Sequence, residues 1–204
     1  MASQVAHIVY AKRYLEKFPS NEIDRDEFLL GCVFPDIRRV AENLTRKDTH
    51  MAYDPIDLNF TGLTSFQAGW KFHLYCDMKR EEILSQYGFY KLTEDTGKFW
   101  LSSKMLEDEL LYDVYNNWEK LVHYFNNAPS SQSPQGVSKE SFALWYAIVA
   151  RYIEKKPDNK AMQLFIGKQA MFQKDSVSII KRVDELRRNR QAVEILKKVV
   201  EEIV

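Results

Sequence analysis

The sequence predicts an all-α protein folded as a single compact domain of several helices. Three observations carry that prediction. Apolar residues recur with the 3.6-residue helical period over most of the chain. Strand-like alternation is scarce. Glycine and proline, 7 and 6 among 204 residues, are few for this length. The length suits one domain with a substantial core.

In chain order, Val5, Ile8, Val9, Tyr14, Leu15 and Phe18 predict a helix from about Gln4 to Phe18, stopped by Pro19-Ser20-Asn21. A short helix from about Arg25 to Leu30 follows, with acidic residues at its start. Gly31 to Arg39 reads as a break, because Pro35 disfavours the helical region for Phe34. Residues Val40 to Thr61 are polar, without a firm period, and read as a long loop of the kind that is often functional. A central helix is expected from about Leu63 to Tyr87, and another from about Phe99 to Asn127. Ser, Pro and Asn mark a linker over about 126–138. Ser138 caps a helix that runs to Glu154. From Lys160 onward a short helix and a long amphipathic one are expected. Ligand-type residues concentrate in about 1–127, and the helices of 138–204 complete the single domain.

Lys+Arg and Asp+Glu are both 29, so no basic field marks a nucleic-acid binder. No apolar run approaches the roughly 18 residues needed to span a bilayer, so no stable membrane insertion is expected. Two cysteines, Cys32 and Cys76, and a start without a signal pattern predict a cytoplasmic protein with reduced thiols.

The stretch Phe66 to Asp77, FQAGWKFHLYCD, places His73 and Asp77 one helical turn apart on one face. A soft nitrogen beside a hard oxygen on a rigid rod is half of a metal site. His7 in the first helix, Asp36 after Pro35 and His50 in the long loop complete an inventory of three histidines and two carboxylates. Such a set suits hydrolytic metal chemistry. Taken singly, each has an ordinary reading: a surface histidine, a helix cap, a solvated loop residue. Arg38 and Arg39 could meet phosphate oxygens, although surface solvation is the commoner role. Glu109 and Asp113 are one turn apart and could face the same cleft, or form an exposed acidic face.

In order, AHIVYAKRYL, LLGCVFPDI, DTH and FQAGWKFHLYCD resemble the zinc-dependent phospholipase C family and its all-α relatives. Phe66, Gly69, His73 and Asp77 fall in the F-x-x-G-x-x-x-H-x-x-x-D pattern, and the resemblance covers roughly the first eighty residues. It implies a phospholipase C-like helical fold. It also implies that Asp36, His50, His73 and Asp77 ligate one ion, with Asp77 bridging to a second that takes His7. Asp36 matches the family's proposed general base. The implied activity is hydrolysis of a small phosphoester or phospholipid-like substrate by metal-activated water. Zinc is the first expectation and iron or manganese the others, with one or two ions bound. The chain departs from the pattern in its second half, where Met105 stands four residues before Glu109 in place of a histidine. Six residues precede His7, so an N-terminal amine ligand is not carried over. A rival HD-type phosphohydrolase needs a His-Asp dipeptide, which the sequence lacks. The other alternative is a non-catalytic helical binding or scaffold domain retaining a structural metal.

Overall fold

The computed structural model describes residues 3–41, 43–94, 100–169 and 172–204. The described residues are helical, without strands, as the periodicity predicts. Helix α1 (Gln4–Lys17) is buried on nearly every side from Gln4 to Ala11, the pattern of a helix at the centre of a core. Helix α2 (Arg25–Val33) starts at Asp24, whose side chain accepts from Glu27 N at 2.9 Å.

The expected break after Leu30 does not occur. Helix α2 continues to Val33, and Phe34–Arg39 tightens into a 3-10 turn with Phe34 still helical (φ −59°, ψ −46°). Pro35 sits at the start of that turn, where its missing N–H leaves no bond unmade. Phe34 is fully buried among Phe66, Trp70 and Phe142, and that packing overrides the local preference set by proline.

The long loop also holds more structure than its composition suggests. Helix α3 (Arg46–His50) is secured by a capping box between Thr45 and Asp48. Trp70 Nε1 donates to Thr49 O at 2.6 Å, and Lys71 Nζ reaches Asp57 Oδ1 at 2.5 Å and Asn59 O at 2.9 Å. These bonds tie the loop to α4 (Ser65–Gln86), the central helix, which is itself capped reciprocally by Thr64 and Gln67.

Helices α2 and α4 cross in backbone contact. A Cβ on Gly31 would lie 1.9 Å from Phe66 O, and one on Gly69 would lie 2.0 Å from Phe28 O. Only glycine allows that approach. Past the short α5 (Phe89–Thr93), the single helix expected over 99–127 is two: α6 (Trp100–Leu111) and α7 (Trp118–Asn126), with a 3-10 turn at Tyr112–Val114. Phe99, its expected start, lies outside the described residues. Tyr112 and Trp118 stack at 4.6 Å, and Trp118 Nε1 donates to Tyr112 O, which closes the corner.

After the linker, α8 (Lys139–Ile153) is capped by Ser138. Its Trp145 Nε1 and Tyr146 hydroxyl donate to Val33 O and Leu30 O, two carbonyls at the end of α2. The rest of the chain forms three helices rather than two: α9 (Asn159–Gly167), α10 (Ser176–Arg188) and α11 (Arg190–Glu202). Asn189 is extended between the last two and caps α11 through Ala192 N. One continuous core runs from Val5 to Ile203. No helix among the described residues is long and apolar enough to cross a membrane.

Candidate metal centre

The five expected ligand residues meet. His7 comes from the middle of α1, Asp36 from the 3-10 turn, His50 from the last residue of α3, and His73 and Asp77 from α4. All are buried, with His7 at 0%, Asp36 and His73 at 1%, His50 at 6% and Asp77 at 7% exposure. The surface and solvated readings of His7 and His50 therefore do not hold. Two groups of donor atoms lie within 4.8 Å of one another: His7, His73 and Asp77; and Asp36, His50 and His73.

The rings are held with one nitrogen facing inward. His73 Nδ1 lies 2.8 Å from Cys32 O. A carbonyl only accepts, so Nδ1 carries the proton and Nε2 presents its lone pair to the cluster. His50 Nδ1 lies 2.9 Å from the Thr49 hydroxyl, which is 3.5 Å from Thr45 O. If that hydroxyl donates to Thr45 O and accepts from Nδ1, His50 Nε2 also becomes a free donor atom. The His7 and His73 rings stack at 3.8 Å with 16° between their planes. Burial lowers the pKa of both flanking imidazoles, and the nearby carboxylates do not restore it: His50 falls to about 4 and His73 lies well below its ordinary value. Both are neutral at pH 7, the state a metal requires.

His7 Nδ1 and Nε2, His50 Nε2 and His73 Nε2 are buried without a hydrogen-bond partner. Each such atom ordinarily costs about 1–3 kcal/mol, so their concentration at one point calls for an occupant. The spacings suit a cation. Ligand atoms about 2.0–2.1 Å from a tetrahedral ion lie about 3.4 Å apart. Asp77 Oδ2 is 3.6 Å from His73 Nε2 and 3.8 Å from His50 Nε2, and Asp36 Oδ1 is 4.0 Å from His50 Nε2. These three spacings exceed the tetrahedral value by a few tenths of an ångström, but Asp36 and Asp77 fall in different groups, so drawing all four residues onto one ion takes a larger movement of the two carboxylates. His7 Nε2 lies 3.4 Å from Asp77 Oδ1, the opposite oxygen, and these two form a group with His73.

Asp36 is more constrained than its sequence context shows. Gln4 Nε2 donates to its Oδ2 at 2.8 Å, and Arg39 Nη2 lies 2.8 Å from its Oδ1, close enough for an ion pair but at an angle too poor for a hydrogen bond. Burial pushes the Asp36 pKa up, but Arg39, His73, His50 and Lys104 together take it well below the usual carboxylate range. A carboxylate held this acidic suits a metal ligand better than a proton acceptor. Arg39 is 7% exposed and fixed by Gln169 Oε1 at 3.1 Å. It is thus a buried counter-ion rather than a solvated surface group. Arg38 is half-buried and within electrostatic reach of Asp36 and Asp77.

Glu109 and Asp113 do not join the cluster. Glu109 accepts from Arg187 Nη2 at 2.6 Å, and exposed Asp113 pairs with Lys156. Helix α6 turns a different face inward, with Lys104, Glu107 and Asp108 buried. Glu107 accepts from Arg80 Nε at 2.7 Å and from the Tyr10 hydroxyl, and Asp108 accepts from Ala6 N at 2.9 Å and Tyr152 at 2.9 Å. These bonds brace α1 beneath His7. Both cysteines are free and buried, with Cys32 Sγ directed at His7 O. His123 is exposed. A surface cavity of about 840 Å³, lined by residues such as Lys12, Asp24 and Lys120, includes none of the five. The chain matches no protein-family model, no curated protein and no solved structure.

Proposed function

We propose that this protein is a metal-dependent phosphoester hydrolase with a phospholipase C-like helical fold. The observation that carries the reading is the convergence of buried, unpartnered imidazole nitrogens and two carboxylates from four separate segments. One ion would be held by Asp36, His50, His73 and Asp77. A second would be held by His7 and the other oxygen of Asp77, with fewer protein ligands and therefore room for water and substrate. Zinc suits the donor set, and iron or manganese also fit. Divalent ions in such a site supply Lewis acidity toward a phosphoryl oxygen and water of near-neutral pKa.

The chain's own residues do the rest. Cys32 O and Thr49 orient the two imidazoles. Arg39 keeps Asp36 ionised, and half-buried Arg38 is placed to meet a phosphoryl oxygen. The small phosphoester or phospholipid-like substrate approaches from the side of Asp77, whose side chain keeps 9% exposure while those of the other four are at 0–1%. Two buried, unbridged cysteines are in keeping with a cytoplasmic setting.

A second reading has its own support. The depth of the cluster favours a structural ion in a non-catalytic helical domain. Elemental analysis of protein purified without added metal, and again after reconstitution, separates the two. The hydrolase reading expects two equivalents in the wild type, one in His7→Ala and none in His73→Ala, with hydrolysis of a chromogenic phosphoester lost in both variants. One equivalent and no hydrolysis supports the structural ion. No metal even after reconstitution overturns both.

A further inference from the structure

Lys104 lies on α6 with its side chain turned into the protein, 1% exposed, and its amine finds no hydrogen-bond acceptor. The amine stands 4.0 Å over the Trp100 ring, and its attractive charged neighbours are Asp77 and Asp36, two of the candidate metal ligands. Arg39 and Arg80 approach from the same interior. A buried amine without an acceptor is costly, and burial pushes its pKa well down despite Asp77 and Asp36. An anion bound together with the metal would supply the acceptor that this amine lacks.

The charge inventory indicates the size of that anion. The buried carboxylates around the cluster are Asp36, Asp77, Glu107 and Asp108, and the buried guanidiniums are Arg39 and Arg80. With all four carboxylates ionised and Lys104 neutral, two divalent ions leave two positive charges unbalanced. Any protonation of Asp108 or Lys104 increases that excess. A phosphomonoester carries two negative charges at neutral pH, whereas a diester carries one.

We propose that Lys104 binds a phosphoryl oxygen of the substrate, and that the site takes phosphomonoester dianions in preference to diesters. This rests on the hydrolase reading above and names its substrate class. Arg38, with a buried Nε lacking a partner, is placed to take a second phosphoryl oxygen.

The test uses inorganic phosphate as the probe, on the full chain reconstituted with zinc, with metal content measured for every sample. Isothermal titration calorimetry of the wild type should show phosphate binding at least tenfold tighter than dimethyl phosphate, a monoanionic diester. Lys104→Met, close in shape, should keep the wild-type metal content and melt at or above the wild-type temperature, because an unpaired buried amine is gone. Its phosphate affinity should fall at least tenfold. Lys104→Gln serves the same purpose if the Met variant folds poorly. Wild-type phosphate affinity in a fully metallated Lys104 variant overturns the role of Lys104 and leaves the hydrolase reading standing. Equal or tighter binding of dimethyl phosphate overturns the monoester assignment. A wild type that takes up no zinc overturns this inference and the hydrolase reading together.

Discussion

Gly69→Ala tests whether the α2–α4 crossing builds the centre. The new Cβ would stand 2.0 Å from Phe28 O, 2.8 Å from Phe28 C and 3.0 Å from Cys32 N. All three are backbone atoms of α2, so no side chain can swing aside. Ordinary contact with the nearest begins at about 3.4 Å, so the helices must part by roughly 1.4 Å. Overpacking of this severity costs about 3 kcal/mol. The substitution regains about 1 kcal/mol of helix propensity, leaving a net loss of about 2 kcal/mol. The same parting acts on His73, whose Nδ1 reaches across the crossing to Cys32 O at 2.8 Å. Lengthened by about an ångström, that contact is no longer a hydrogen bond, and the ring loses its orientation. Loss of such a supporting bond typically costs about 10–100-fold in metal affinity. Urea unfolding measures the first effect and competition with a chromophoric chelator the second. Gly167→Ala, where a Cβ meets nothing within 4 Å, is the control and should not weaken metal binding. A Gly69→Ala protein as stable as the wild type, with unchanged metal affinity, would refute the reasoning.

Two further predictions follow from neighbouring features. Asp48→Ala removes the carboxylate half of the capping box of α3; because His50 is the last residue of that helix, metal affinity in the chelator assay should drop several-fold, with a smaller effect on the urea midpoint than Gly69→Ala. Asp108 is raised to about 7, by burial first and then by Glu107, against the hydrogen bonds it accepts. The folded state therefore binds the proton more tightly than the unfolded state. The contribution of Asp108 to stability is full below about pH 4 and is lost as pH rises toward 7, at up to about 1.4 kcal/mol per pH unit. Asp108→Asn should flatten that slope and raise the melting temperature at pH 8, and a variant with the wild-type pH dependence would count against the assignment.

Much of this architecture can be read from the sequence where the signal is local. Helix α4 announces itself through Thr64, Gln67 and its periodic aromatics, and Phe66, Gly69, His73 and Asp77 fall on it as their spacing requires. Helix α3 also carries a local signal, the Thr45–Asp48 pair, hidden by the polar residues around it. What escapes the sequence is set by distant partners. Nothing near Glu109 says that Arg187 will claim it, and a lysine in a helix such as Lys104 ordinarily points to water. The corner between α6 and α7 contains neither glycine nor proline; it turns because Trp118 folds back onto Tyr112. Asn189 divides the last amphipathic stretch because its side chain serves as a cap better than its backbone serves a continuous helix.

The hydrogen bond from Arg39 to Gln169 has a consequence for how the molecule comes into being. All five ligand-type residues are translated within the first 77 positions, yet the guanidinium beside Asp36 is anchored by a side chain 130 residues downstream, itself bonded to Phe165 O. Trp145 and Tyr146 likewise reach back to the end of α2 from late in the chain. A nascent chain emerging from the ribosome can bring its histidines together early. The bond that anchors Arg39 beside Asp36 forms only when Gln169, just past α9, has emerged and docked. The candidate centre is in this sense a late product of synthesis: the last third of the chain, which holds none of the five residues, completes the surroundings of Asp36.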